Sequence, residues 1–306
     1  MMATVITLKK PKSMRIFFIP ALIFTLSSCN SPAPIKPAKA VSVSVLPQKY
    51  FVEAIAGEGI KVNVMIPPGA SHSSYEPTAR QMNLLVNSQA YLKIGHLDFE
   101  LAWMPRFGGV NPEMQLFDLS EGIDLIAGEC EHHEEAGHIH SEENETGIDP
   151  HTWMSPGNVK IIATNILKSL NKIYPSDSAV FRSNYNSFMM TIDSVQALYN
   201  LNADKLKGRS FIIYHPALAY LARDYGMEQI VLEFEGKEPP PAHIKAIIDL
   251  AKEKKIGFIF VQKQFSLDNS RSLAKEINAE IIPIDPMDEQ WKEQMIEILN
   301  HLLANK

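Results

Sequence analysis

Four of the chain's ten histidines, His132, His133, His138 and His140, fall in the stretch CEHHEEAGHIHSEENE, Cys130 to Glu145. Imidazoles among carboxylates suit borderline divalent metals such as zinc, copper and nickel. HEEAGH looks like the HExxH pair of a metalloprotease but carries one residue too many. At 3.6 residues per turn, histidines five apart point about 140° apart around a helix, against about 40° at the four-residue spacing. Gly137 among the charges also works against a rigid helix. The stretch reads as an acidic loop that gathers metal weakly, or as a solvated charge run.

Quieter residues offer a more ordered chemistry. His151 sits in the proline-bounded turn IDPHTWMSP, just before a helix start. His215 ends a strand in IIYHPALAYLA, Asp285 ends the last strand in EIIPIDPM, and His72 follows the strand that closes at Ile66. Taken singly, each has a plain alternative role as a hydrogen-bonded core or turn residue. Together they lie where open α/β sheets bind ligands, beyond the carboxyl ends of the strands. Imidazoles and one carboxylate meeting there would make a tetrahedral zinc site. His96, in KIGHLDFE, also follows a strand and is a candidate to complete or support such a site, whereas His243 and His301 lie on amphipathic helices and read as structural. The chain has no GxSxG, P-loop or GxGxxG segment, and no thiol in an activating context.

The elements that must position these residues alternate. VSVSVL, IKVNVMI, AYLKIG and MQLFDLS read as strands in the first half, and SFIIY, QIVLEF, IGFIFVQ and AEIIPID in the second, with helices of ten or so residues between them. That alternation predicts β/α units and parallel sheets. From Pro156 to Asn202 only helical periodicity appears, broken at Pro175, and residues 176–202 contain neither glycine nor proline. The expected fold is α/β, two lobes each with a parallel sheet flanked by helices, joined by a long helix, with the ligand cleft between them. A single sheet of eight or more strands is the alternative.

The N-terminus has its own logic. Lys9, Lys10, Lys12 and Arg15 precede an eleven-residue apolar run, Ile16–Leu26, that ends in LSSC. This is the pattern of a secretory signal with a lipobox, with Cys29 the lipidated first residue of the mature chain. No apolar run approaches the ~20 residues of a membrane span. Loss of residues 1–28 removes four positive charges and no negative ones, taking the net charge from −6 to −10. Such an acidic chain is a poor partner for nucleic acid and a suitable one for a cation. With Cys29 lipidated, Cys130 is the one remaining thiol, so no intrachain disulfide forms. The expected division is a signal peptide at 1–28, a proline-rich tether at 29–40, an N-terminal lobe at 41–175 with the His- and acid-rich loop at 129–145, a linking helix at 176–203 and a C-terminal lobe at 204–306.

LSSC, PPGASHSSYEPT, YLKIGHLDFELAW, DPHTWMSP, IIYHPALAYLARDYGM and IIPIDPM, in this order, resemble the metal-specific solute-binding lipoproteins of ABC transporters, the zinc and manganese group. The resemblance runs from about Val41 to the C-terminus. It implies two α/β lobes joined by a rigid helix, and it places the family's second and third metal ligands on His151 and His215 and its terminal carboxylate on Asp285. Manganese members usually carry glutamate at the third position, so His215 implies zinc. A His- and acid-rich loop ahead of the second ligand is typical of zinc-uptake members. The first ligand departs from the pattern: the family's histidine lies two residues before the tyrosine, where this chain has Ser73, and the histidine is one residue earlier, at His72. Either His72 serves through a different turn, or water or a group such as His96 completes the site. The implied role is an exported, lipid-anchored, monomeric, non-enzymatic receptor, periplasmic or on the outer face of the cytoplasmic membrane, passing Zn²⁺ to an ABC permease. A manganese or iron receptor, a zinc-dependent hydrolase and an adhesin, a role sometimes given to this family in cell adhesion, are the other readings.

Overall fold

The computed structural model describes residues 39–127, 147–234, 237–265 and 268–304. Two four-stranded sheets, every pairing parallel, replace the single-sheet alternative. The first has the order β2-β1-β3-β4, from β1 Ala40–Val43, β2 Lys61–Val64, β3 Ala90–Lys93 and β4 Gln115–Asp118. The second has the order β6-β5-β7-β8, from β5 Ser210–Ile213, β6 Glu228–Val231, β7 Phe258–Gln262 and β8 Glu280–Ile284. Parallel sheets need helical crossovers, and these cover both faces, so β1 and β7 are buried throughout.

In the N-terminal lobe the crossovers are α1 Leu46–Ala56, α2 Ala79–Val86 and α3 Asp98–Val110. The sequence reads VSVSVL as strand through Leu46, yet α1 already begins there. The Gln48 carboxamide explains the early start: its Oε1 accepts the Ser44 and Val45 amides at 2.9 and 3.0 Å, and its Nε2 donates to Leu92 O. These bonds satisfy donors that a helix start otherwise leaves open.

α4 Pro156–Ile173 and α5 Ser178–Leu201 follow, with the short α6 Ala203–Leu206. Ser155 caps α4 by accepting the Asn158 amide. The 24 residues of α5 span about 36 Å at 1.5 Å per residue. Its buried residues, Phe181, Phe188, Ile192, Val195 and Tyr199, recur at helical spacing along one stripe. Phe188 meets Phe51 of α1, while the Tyr199 hydroxyl donates to Met295 O in the last helix. One helix thus touches both lobes.

The C-terminal lobe adds α7 Ala219–Tyr225, α8 Pro241–Lys254, α9 Asp268–Ile277 and α10 Trp291–Ala304. Period-2 alternation divides its strands between two cores. Phe211, Ile213, Phe258 and Phe260 face a core that is continuous with the N-terminal lobe through α1, α4 and α5. Ile212, Tyr214, Ile259 and Val261 face a smaller core beneath α8 and α9. Among the described residues no helix is long and apolar enough to cross a membrane.

Candidate metal centre

The loops after β2 and β5 and the segment entering α4 deliver three imidazoles to one point. His72 lies in the turn between β2 and α2, His151 in the stretch entering α4, and His215 two residues beyond β5. Their ring centroids are 5.0, 5.2 and 5.4 Å apart. One ring nitrogen from each lies within 4.8 Å of the others, and Nε2 of His72 is 3.2 Å from Nε2 of His151. Two nitrogens at zinc-bonding distance on a tetrahedral ion stand about 3.3 Å apart. The cavity beside them measures about 20 Å³. That is room for one water-sized body.

Hydrogen bonds fix the direction in which two of the rings face. Asp149 Oδ1 accepts from the His151 amide and pairs with its Nδ1, each at 2.8 Å. Glu233 pairs in the same way with Nδ1 of His215. A carboxylate on Nδ1 holds the proton there and leaves Nε2 as a lone-pair donor, the arrangement that orients histidine toward a metal. Nε2 of His215 is buried and without a hydrogen-bond partner, as is Nδ1 of His72. An orphaned buried nitrogen is costly. At His215 a cation among the three rings would relieve that cost.

The surroundings keep His72 uncharged and the His215 ring in place. Burial, and then the neighbouring His151 and His215, hold His72 well below the ordinary histidine pKa. Gln262 accepts from the His215 amide and donates to its carbonyl, and Phe265 stacks on the ring at 5.3 Å. Asp98, at the start of α3, lies within electrostatic reach of His215 and His151, although burial raises its pKa overall.

The remaining candidates lie apart from this cluster. Asp285 follows β8 beside the cavity-lining Pro286 and Met287. Its Oδ1 accepts from Gln264 Nε2 at 2.9 Å and from the Met287 amide at 3.1 Å, so the carboxylate faces these donors. His96 has φ +64°, and its Nδ1 is buried without a partner, but it is not grouped with the three histidines. His243 contacts Val231 O at 3.3 Å and the Phe234 ring, as a structural histidine would. His132, His133, His138, His140 and Cys29 lie outside the described residues.

Asp149 and Glu233 escaped the sequence reading. Asp149 was within reach of it, since an aspartate two residues before His151 readily accepts that residue's amide in an Asx turn. Glu233 carries no local signal. It meets His215 because β5 and β6 pair in a register of Ile213 with Val231, which two further residues extend to this pair.

Two parallel-sheet lobes with three imidazoles gathered at one point have the architecture of a two-lobed solute-binding protein with a candidate metal site. Residues 41–305 match the family "Zinc-uptake complex component A periplasmic" (ZnuA), and the chain belongs to that family. A crystal structure of ZnuA shares 32% identity and a TM-score of 0.78, covering 88% of this chain and 99% of that one. A deletion mutant of ZnuA with zinc bound gives 32% and 0.77, over 87% of this chain and 97% of that one. The high-affinity zinc uptake system protein ZnuA of Bacillus subtilis is 24% identical, covering 94% of this chain and 92% of its own. The zinc-binding lipoprotein AdcA of Streptococcus pneumoniae is 23% identical over 88% of this chain, which spans about half (54%) of that relative's length. A manganese-bound periplasmic metal-binding protein from Candidatus Liberibacter asiaticus, 22% identical with a TM-score of 0.72, covers 86% of this chain and 99% of its own and shares the fold.

Proposed function

We propose that this chain is an extracytoplasmic receptor that captures Zn²⁺ between its lobes and delivers it to the permease of an ABC importer. The observation that carries the reading is the group His72, His151 and His215, two of whose rings are aimed by carboxylates. Three imidazoles suit zinc better than manganese, which prefers oxygen ligands. The zinc-binding and zinc-uptake names of the relatives support the same choice. Zinc is cargo here, and the protein is not an enzyme. Hydrolysis at a zinc ion needs a base beside metal-bound water. The two carboxylates hydrogen-bonded to the cluster are instead committed to histidine Nδ1 atoms.

In this reading His72 is the first ligand despite its one-residue displacement, and Asp285 supplies the fourth by turning from Gln264. Cys29 carries the lipid that holds a monomer at the membrane surface. The histidine-rich stretch around His132, His133, His138 and His140 collects metal without forming the tight site. Competition titration tests the assignment: zinc binds one tight site and manganese fails to displace it at comparable concentration. Displacement by manganese would overturn the zinc assignment. Deleting residues 131–143 should leave the tight site intact, and its loss would reverse the division of roles.

A further inference from the structure

The three histidines are mechanically unequal. His151 precedes the C-terminal lobe in the chain, and although the Asp149 amide donates to Ile126 O at 2.9 Å, its surroundings are also fastened to that lobe. The Tyr220 hydroxyl of α7 donates to Asp149 O at 2.7 Å and accepts the Ile126 amide at 3.2 Å. Trp153 Nε1 donates to Pro286 O at 2.8 Å, and Trp291 Nε1 of α10 donates to Trp153 O at 2.7 Å. Ser155 Oγ donates to Asp224 of α7. His215 belongs to that lobe already.

The turn that carries His72 has no such fastening. Among the described residues its hydrogen bonds run within the turn, to Gln81, and through Gln81 to Met65 at the end of β2. Tyr75 packs on Phe99, again within the N-terminal lobe. Among the described residues, the polar and ring contacts of His72 across the cleft are to the other two imidazoles. Its Nδ1, alone of the three, has no hydrogen-bond partner.

We propose that the metal centre is assembled in two parts, with His151 and His215 a preformed half-site fixed to the C-terminal lobe and His72 the closing ligand that binds last and leaves first. The inference rests on the metal-site reading above and adds an order to it. A preoriented pair pays little ordering cost when the ion arrives. His72 must bring its turn with it, and any separation of the lobes draws that ring away while the other two stay together.

The test uses Zn²⁺ alone on the metal-free protein, with a chromophoric chelator to follow release. It is repeated with residues 131–143 deleted, so that the histidines of that stretch cannot hold the ion. Wild-type association should show two phases, one rising with zinc concentration and one independent of it. His72→Ala should lose the second phase, keep one zinc, and release it faster by more than the roughly 100-fold that losing a ligand-orienting partner costs. His151→Ala and His215→Ala should hold no zinc under the same conditions. If His72→Ala loses zinc as completely as His151→Ala, or if wild-type binding is a single phase, the order is wrong. Should the His151 variant fail to fold, the wild-type and His72→Ala traces still decide. A wild-type chain that takes up no zinc would remove the metal-site reading together with this one.

Discussion

Zinc binds imidazole only when the ring is neutral, and at His72 burial and two neighbouring histidines favour that state. The folded pKa lies below the ordinary 6.5, so above pH 6.5 the residue is neutral in both folded and unfolded chains. As the pH falls below 6.5 the unfolded chain takes up the proton first, and stability is lost until the folded pKa is passed. The metal-free protein should therefore melt at lower temperature as pH drops from 6.5, with a shallower slope in His72→Gln. Equal slopes would show that His72 is not desolvated. At the same scale, Asp149→Asn and Glu233→Gln should each weaken zinc binding about 10- to 100-fold, read by competition titration. The candidate ligands were legible in the sequence because His72, His215 and Asp285 follow strands and His151 sits in a proline-bounded turn before a helix. Their partners were less so, since Glu233 is set by strand register and the Gln264 contact of Asp285 by the meeting of two loops.

Elements place those residues through a few buried polar contacts. In the N-terminal lobe Glu100 of α3 accepts the Ile94 and Gly95 amides at 2.9 and 2.8 Å and the Ser44 hydroxyl, which also meets Tyr91. Gly95 is needed there: φ is +84°, and a Cβ would stand 2.7 Å from Ser120 Oγ. Burial raises the Glu100 pKa to about 7 against these donors. A raised carboxylate pKa gives stability that is present below pH 4.5 and lost as pH rises through about 7. Glu100→Gln should flatten that part of the pH profile. It should also cost about 1–3 kcal/mol, because the new amide cannot accept from Gly95. Denaturant melts at several pH values measure both effects. In α5, Phe188→Ala should cost about 3–5 kcal/mol as a buried aromatic truncation. The helix itself was readable from its run without glycine or proline. The early start of α1 was not, because it depends on the Gln48 side chain reaching back to Ser44 and on to Leu92.

For the whole molecule, the alternating pattern led directly to β/α units, while the split into two sheets depends on where the long helices interrupt them. The core continues from one lobe to the other through α1, α4, α5 and α10, and Phe51 packs on Trp291 at 5.5 Å across that boundary. Lys49 of α1 pairs with Glu289 just before α10. Such a joint permits small tilts of the lobes rather than wide opening, so zinc should leave the radius of gyration in solution scattering unchanged. A marked contraction on binding would contradict it. The central claim is the location of the ion. In crystals of the zinc-loaded protein, diffraction across the zinc absorption edge should give one strong anomalous peak, about 2.0–2.1 Å from Nε2 of His72, His151 and His215. A peak elsewhere in the chain, with none among these three rings, would contradict it.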